Sequence, residues 1–193
     1  DMLADALAKD ADLAKVFYSR LNMLFYAGAG MAQRTWDQLS EIGKNVTGSE
    51  ILLAAGLGAT ETAPFALAWT EPEAAAGNLG LPAKGLTLKL VPADGKLEAR
   101  LKGPTITPGY FGDPEKTKEV FDDEGFYCLG DALRPVDLDD FSRGFYFDGR
   151  VAENFKLSTG TWVSVGSVRG ALVDAIGGLV RDAVIVGENE RQL

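Results

Sequence analysis

At 193 residues the chain has room for one ordinary domain, or for one domain and part of another, and its 46% apolar content supports a sizeable buried core. It carries 28 acidic against 19 basic side chains, a formal charge of −9, with no basic run; this excludes a basic nucleic-acid footprint and leaves any polyanionic ligand dependent on backbone amides or a metal ion. Histidine is absent and Cys128 is the single cysteine, so this chain alone can build no histidine-based hydrolase apparatus, no His-ligated metal site and no internal disulfide.

Residues 2–21 read as one amphipathic helix, with Leu13, Val16, Phe17 and Leu21 at helical spacing. Its acidic character is unlike a signal peptide and no apolar run reaches membrane-spanning length, so the cytoplasm is the expected compartment. Residues 22–26 form a short apolar strand, followed by a small-residue turn at 27–30. Residues 33–44 are helical, with Trp36, Leu39 and Gly43 on one face, and residues 50–54 are a second apolar strand running into a glycine-rich loop at 56–62. Helices alternating with buried strands predict a parallel α/β layer.

The texture changes after about Pro72. Residues 86–91 and 96–101 flank Pro92-Ala-Asp94-Gly95 and read as a β-hairpin. Asp113-Pro114-Glu115 starts a helix, with the aspartate as cap and proline in the first turn. Residues 125–129 and 145–147 are short strands, so this middle part reads as a small β-barrel or a distorted antiparallel sheet. A third texture begins near Gly149: Trp162-Val163 is strand-like, 164–176 helical and 179–186 strand-like again. Both ends read as cuts through a larger protein.

Three segments carry candidate chemistry. In the turn Tyr26-Ala-Gly28-Ala29-Gly30 the backbone can approach a flat ligand, although Gln33 stands where a dinucleotide fingerprint needs its third glycine; the turn also reads as packing punctuation. In Gly56-Leu57-Gly-Ala-Thr60-Glu61-Thr a hydroxyl and a carboxylate sit together after a strand. That pair suits phosphate oxygens and Mg²⁺, which takes one or two protein carboxylates and fills its other sites with substrate phosphates; a solvent loop with a capping threonine is the other reading. In Tyr127-Cys-Leu-Gly-Asp131, followed by Gly149-Arg150, a loop carboxylate can accept from two vicinal hydroxyls and an arginine can reach the same sugar or a phosphate; a surface ion pair is the alternative.

Taken in order, these segments resemble the adenylate-forming superfamily of acyl-CoA synthetases, luciferases and peptide-synthetase adenylation domains. Gly58-Ala-Thr60-Glu61-Thr is similar to that family's G-x-T-E signature, and Gly103-Pro-Thr-Ile-Thr-Pro-Gly109-Tyr110 with Pro114-Glu-Lys-Thr to its G-P-x-x-x-x-G-Y…P-E-x-T segment. Phe126-Tyr-Cys-Leu-Gly-Asp131 resembles its aromatic-x-x-x-G-D. Within the superfamily, Ser19-Arg-Leu-Asn-Met-Leu-Phe-Tyr-Ala-Gly-Ala-Gly30 and Phe147-Asp-Gly-Arg150-Val-Ala-Glu-Asn-Phe-Lys-Leu-Ser-Thr159-Gly160-Thr-Trp162 look most like feruloyl-CoA synthetases.

The resemblance implies a partial adenylate-forming fold: the end of an α/β part over 1–72, a β-rich subdomain over 73–149, and a hinge with the start of an α+β C-terminal domain over 150–193. It implies an acid–CoA ligase using ATP, Mg²⁺ and coenzyme A on a small carboxylic acid such as ferulate. Gly28, Ala29 and Gly30 would line the adenine site, with Gly56 and Leu57 against the ring and the acyl group. Thr60 would touch phosphate and Glu61 hold Mg²⁺. Asp131 would take the ribose hydroxyls beside Arg150, and Thr159, Gly160 and Trp162 would belong to the loop serving the CoA step. Leu57 replaces the ring many relatives place against adenine, Ala152 replaces a hinge Asp or Lys, and Val165-Gly-Ser-Val-Arg169 loses both acids of the P-x-E-V-E that usually follows. The family's upstream phosphate loop and downstream lysine have no counterpart, so no turnover is expected from these 193 residues alone. Another adenylate-forming activity, or a non-catalytic binding module keeping the fold, are the alternatives.

Overall fold

The computed structural model describes residues 2–28, 30–72, 76–176, 179–180 and 182–193, without the side chains of 167 and 174. Where one helix was expected over 2–21, two are found, α1 (Met2–Lys9) and α2 (Ala11–Tyr18). The break has a local cause. Asp10 is extended, and its carboxylate accepts from the backbone N–H of Asp12 at 3.0 Å and of Leu13 at 2.9 Å, so it caps α2 instead of continuing α1. Both helices bury core residues (Ala4, Leu7, Ala14, Tyr18) against α3 (Gln33–Thr47), whose Trp36, Leu39 and Gly43 form the facing stripe anticipated from their spacing. The Tyr18 hydroxyl crosses this seam to donate to the Leu39 carbonyl at 2.9 Å. Gly48, left-handed at φ 73°, closes α3.

The first sheet has the order β1 (Met23–Tyr26), β2 (Leu52–Leu57), β3 (Leu67–Trp69), β4 (Leu81–Pro82). β1 and β2 are parallel, as the alternating helices suggested; β3 and β4 return antiparallel. β2 begins and ends later than expected, because Gly56 and Leu57 pair with Ala68 and Leu67 of β3. The glycine is required there: a Cβ on it would lie 2.7 Å from the Leu67 carbonyl oxygen. The loop proper therefore starts at Gly58, where a Cβ would lie 1.5 Å from the Pro64 oxygen.

The second sheet is antiparallel throughout: β5 (Thr87–Ala93), β6 (Lys96–Lys102), β7 (Tyr127–Pro135) and β8 (Phe145–Arg150), in that order. It is an open sheet among the described residues rather than a closed barrel. The expected hairpin is present, with Asp94 at φ 48° and Gly95 at φ 79° turning the chain in the sense that matches strand twist. Its core joins Leu101, Leu129, Leu133 and Phe145 to Ala66, Leu67 and Leu79, so the first sheet packs into the second. α4 (Pro114–Glu119) starts as expected, with Asp113 accepting from the Lys116 N–H at 2.9 Å. A two-stranded ribbon, β9 (Phe155–Lys156) and β10 (Trp162–Val163), and α5 (Val165–Ala175) complete the elements. The strand expected over 179–186 is not formed among its described residues: Leu179 and Val184 are largely exposed there and no partner strand lies alongside.

Candidate functional site: a buried aspartate beside an arginine, and a tyrosine-held glutamate

Asp131 lies in β7 immediately after Gly130, which turns at φ 74°, and next to a register shift between Asp131 and Leu133. Bulges of this kind re-aim side chains. Across the pair, Asp131 faces Arg150 of β8. The Arg150 Nε is 3.0 Å from Asp131 Oδ1, yet off the line a hydrogen bond needs, so the two are paired by charge while Oδ1 stays buried without a hydrogen-bond donor among the described residues. The residue is 7% exposed. Burial pushes its carboxyl above the ordinary carboxylate value; Arg150 works against that and Glu153 adds to it. A buried acceptor left open is costly in a finished core and useful where a ligand hydroxyl will fill it.

Thr60, Glu61 and Thr62 form a 3-10 turn directly after the Gly58 loop. Thr62 is structural: its buried hydroxyl accepts from the Ala59 N–H at 2.9 Å and donates to the Ala59 carbonyl at 3.0 Å. Thr60 is exposed, and Glu61 is half-buried. The Glu61 carboxylate accepts from the Tyr110 hydroxyl at 2.7 Å. That bond is the main reason its pKa lies low; its own N–H and the nearby Lys116 help. The Tyr127 hydroxyl in turn engages that of Tyr110, and Tyr127, buried at the start of β7, feels the charges of both Glu61 and Arg150. Glu61, Tyr110 and Tyr127 thus form one hydrogen-bonded chain, and Arg150, paired with Asp131, acts on Tyr127 by charge.

The remaining expected residues are placed differently. Gly28 and Gly30 border open space, with nothing within 4 Å of a Cβ built on either, and Gly28 is left-handed at φ 82°. Ala29 lies outside the described residues. Gly56 is buried in the sheet, where the Phe25 ring lies 3.2 Å from its would-be Cβ, and Leu57 packs on the core of the second sheet. Thr159 and Gly160 sit in the exposed turn between β9 and β10, while the Trp162 ring stacks under Lys156 at 4.9 Å and packs against Gly95. A hollow lined by Trp36, Asp37, Ile51, Leu53 and Pro72 shares no residue with the linked group. Two participants were not assigned roles from the sequence, Tyr110 and Tyr127. Both stand inside the motifs named above, but only the folded chain shows the Tyr110 hydroxyl meeting Glu61 and the Tyr127 hydroxyl meeting Tyr110.

The donor set suits Mg²⁺ in one specific way. No cluster of three or more carboxylate or thiol ligands exists among the described residues, so there is no all-protein cage; a single oriented carboxylate beside an exposed hydroxyl is the set expected when substrate phosphates supply the other ligands. No described helix is long and apolar enough to cross a membrane.

The fold defines a class: the chain carries part of the fold of the adenylate-forming enzymes, with mixed α/β and antiparallel sheets, and resembles their acid–thiol ligases and the adenylation domains of carboxylic acid reductases over part of their length. No family model matches the sequence. Among particular relatives, the chain is 29% identical over 152 residues to probable acyl-activating enzyme 16, chloroplastic, of Arabidopsis thaliana, covering 72% of this chain and 21% of the relative. It is 37% identical over 94 residues to carboxylic acid reductase of Segniliparus rugosus, covering 49% of this chain and 7% of that protein. In structure it matches a malonyl-CoA ligase in ternary product complex with methylmalonyl-CoA and AMP, with a TM-score of 0.58, 27% identity, and coverage of 98% of this chain and 40% of the other. The chain thus spans about a fifth of the acyl-activating relative's length.

Proposed function

We propose that these residues form the ribose- and metal-facing wall of an enzyme that activates a carboxylic acid as its acyl adenylate and passes the acyl group to a thiol. In the first step a substrate carboxylate oxygen attacks the α-phosphorus of ATP and pyrophosphate leaves; in the second a thiol attacks the acyl carbon and AMP leaves. Neither step needs a side-chain base of the histidine type, since positioning and charge stabilisation dominate phosphoryl chemistry of this kind. Asp131 Oδ1 accepts a ribose hydroxyl, Arg150 holds the carboxylate beside it, and Thr60 meets a phosphate oxygen. Glu61 holds Mg²⁺, which when bound neutralises phosphate charge. Gly28 to Gly30 offer backbone to the adenine, and Thr159, Gly160 and Trp162 serve the thiol step with coenzyme A. The divisions at about residues 72 and 149 accompany this proposal, as does an aromatic acid such as ferulate, which rests on the motifs at 19–30 and 147–162 alone.

The open acceptor at Asp131 Oδ1, paired by charge with Arg150, carries the reading. Calorimetric titration of AMP tests it: wild type should bind, and Asp131→Ala should lose about 10- to 100-fold in affinity, the scale of a hydrogen bond to a charged group. Equal binding by both, or none by wild type, rejects the assignment. The match to carboxylic acid reductase favours a second reading, an activating domain within such a reductase; the identity of the thiol product formed by the whole protein separates the two.

A further inference from the structure

We propose that Tyr110 is a positioning residue that holds the Glu61 carboxylate in the orientation in which it takes Mg²⁺, with Tyr127 backing it. The inference rests on the metal-holding reading of Glu61 and deepens it.

The segment at 103–110 is fastened to residue 61 twice. The Thr107 N–H donates to the Glu61 carbonyl at 2.8 Å, and the Tyr110 hydroxyl donates to the Glu61 carboxylate at 2.7 Å. A half-exposed glutamate on a 3-10 turn has three side-chain torsions to fix, and burial supplies little of that restraint. The tyrosine supplies it instead, and its own placement is built in. The Tyr110 N–H donates to Thr117 Oγ1 at 2.8 Å, and the Thr117 hydroxyl donates to the Asp113 carbonyl at 2.8 Å, which ties the tyrosine to the first turn of α4. Gly109, at φ 142°, lets the chain pass Thr117, whose Cγ2 would lie 2.4 Å from a Cβ there. Lys116 covers the Tyr110 ring at 5.0 Å from its centroid. The Tyr127 hydroxyl meets that of Tyr110 from the buried side, so the tyrosine is held from backbone, ring face and hydroxyl.

An isolated surface hydrogen bond contributes little to stability, and this one needs no role in folding. Its effect is to pre-pay the ordering of a ligand side chain, as hydrogen-bonding partners of metal ligands do elsewhere. Removing such a partner typically lowers metal affinity about 10- to 100-fold.

The test is ATP binding by calorimetry, with Mg²⁺ and in EDTA, for wild type, Tyr110→Phe and Tyr127→Phe. Tyr110→Phe keeps the ring under Lys116 and removes one oxygen. It should leave the metal-free affinity unchanged and reduce the gain conferred by Mg²⁺ by about 10-fold; Tyr127→Phe should move the same quantity in the same direction by less. Full retention of the Mg²⁺-dependent gain in both variants overturns the inference and leaves the nucleotide reading standing. An equal loss with and without Mg²⁺ shows a structural role only and also overturns it. Wild type that binds ATP under neither condition rejects the nucleotide reading itself.

Discussion

Asp131 illustrates how a single residue can work against the fold that contains it. Its carboxyl is raised by burial, so the folded chain holds the proton more tightly than the unfolded one. The stabilising contribution of the protonated form is present below the ordinary value of 3.8 and is lost as pH rises through the raised folded value. Above that value Asp131 is a buried charge matched by an arginine that is 56% exposed in its side chain. Asp131→Asn should therefore be no less stable than wild type at pH 7, by urea denaturation, while wild type gains on the variant as pH falls toward 3.8. The same substitution should weaken AMP binding. A variant clearly less stable than wild type at pH 7 would show that the Arg150 pairing outweighs the burial of the charge.

At the scale of elements, capping residues decide where helices stop. Asp10 is exposed and touches no core, yet it separates α1 from α2 by taking two N–H groups that a continuous helix would have used otherwise. Asp10→Ala should lower the unfolding free energy by about 1 kcal/mol, the usual cost of losing such a cap, without altering nucleotide binding. Urea midpoints of the two proteins measure it. A second device ties strands to a turn: Lys89 of β5 reaches Asp122 at 2.6 Å and Glu124 at 2.8 Å, Arg100 of β6 reaches Asp122 at 3.2 Å, and Lys89 stacks on Phe126 at 4.3 Å from its centroid. The Lys89 hydrogen bond is the main reason the Asp122 carboxyl is held far below the carboxylate range. This network anchors the turn that leads directly into Tyr127 and Asp131.

Across the whole molecule, the joint between the second sheet and α5 is built on a lysine and two glycines. Lys96 Nζ meets the Asp148 carbonyl and lies 3.8 Å from its carboxylate, with the side chain 6% exposed. A Cβ on Gly149 would come within 3.1 Å of that ammonium, and one on Gly166 of α5 within 3.1 Å of the Gly149 Cα. Burial lowers the Lys96 pKa, while Asp148 and Glu153 raise it. The unfolded chain therefore takes up the extra proton more readily, and stability from this group should rise with pH between its lowered folded value and the ordinary 10.5. In Lys96→Met, which keeps similar length without charge, that part of the slope should vanish when urea unfolding is followed from neutral to alkaline pH. Identical slopes in the two proteins would mean that water reaches the amine.

Local signals in the sequence determined much of the local structure: the Trp36, Leu39 and Gly43 stripe, the Asp94-Gly95 hairpin, the Asp113-Pro114 helix start, and the order of motifs containing Glu61, Asp131 and Arg150. These depend on contacts a few residues apart, or on backbone preferences that glycine, proline and aspartate carry with them. The described residues of 179–186 show the limit of such signals, since an apolar run becomes a strand only if another strand offers its edge. The length of β2, the open form of the second sheet and the bulge at Asp131 were decided by pairing between distant segments. So was the meeting of Tyr110 with Glu61, because a hydrogen bond between residues 49 positions apart leaves no periodicity or spacing by which a sequence could announce it.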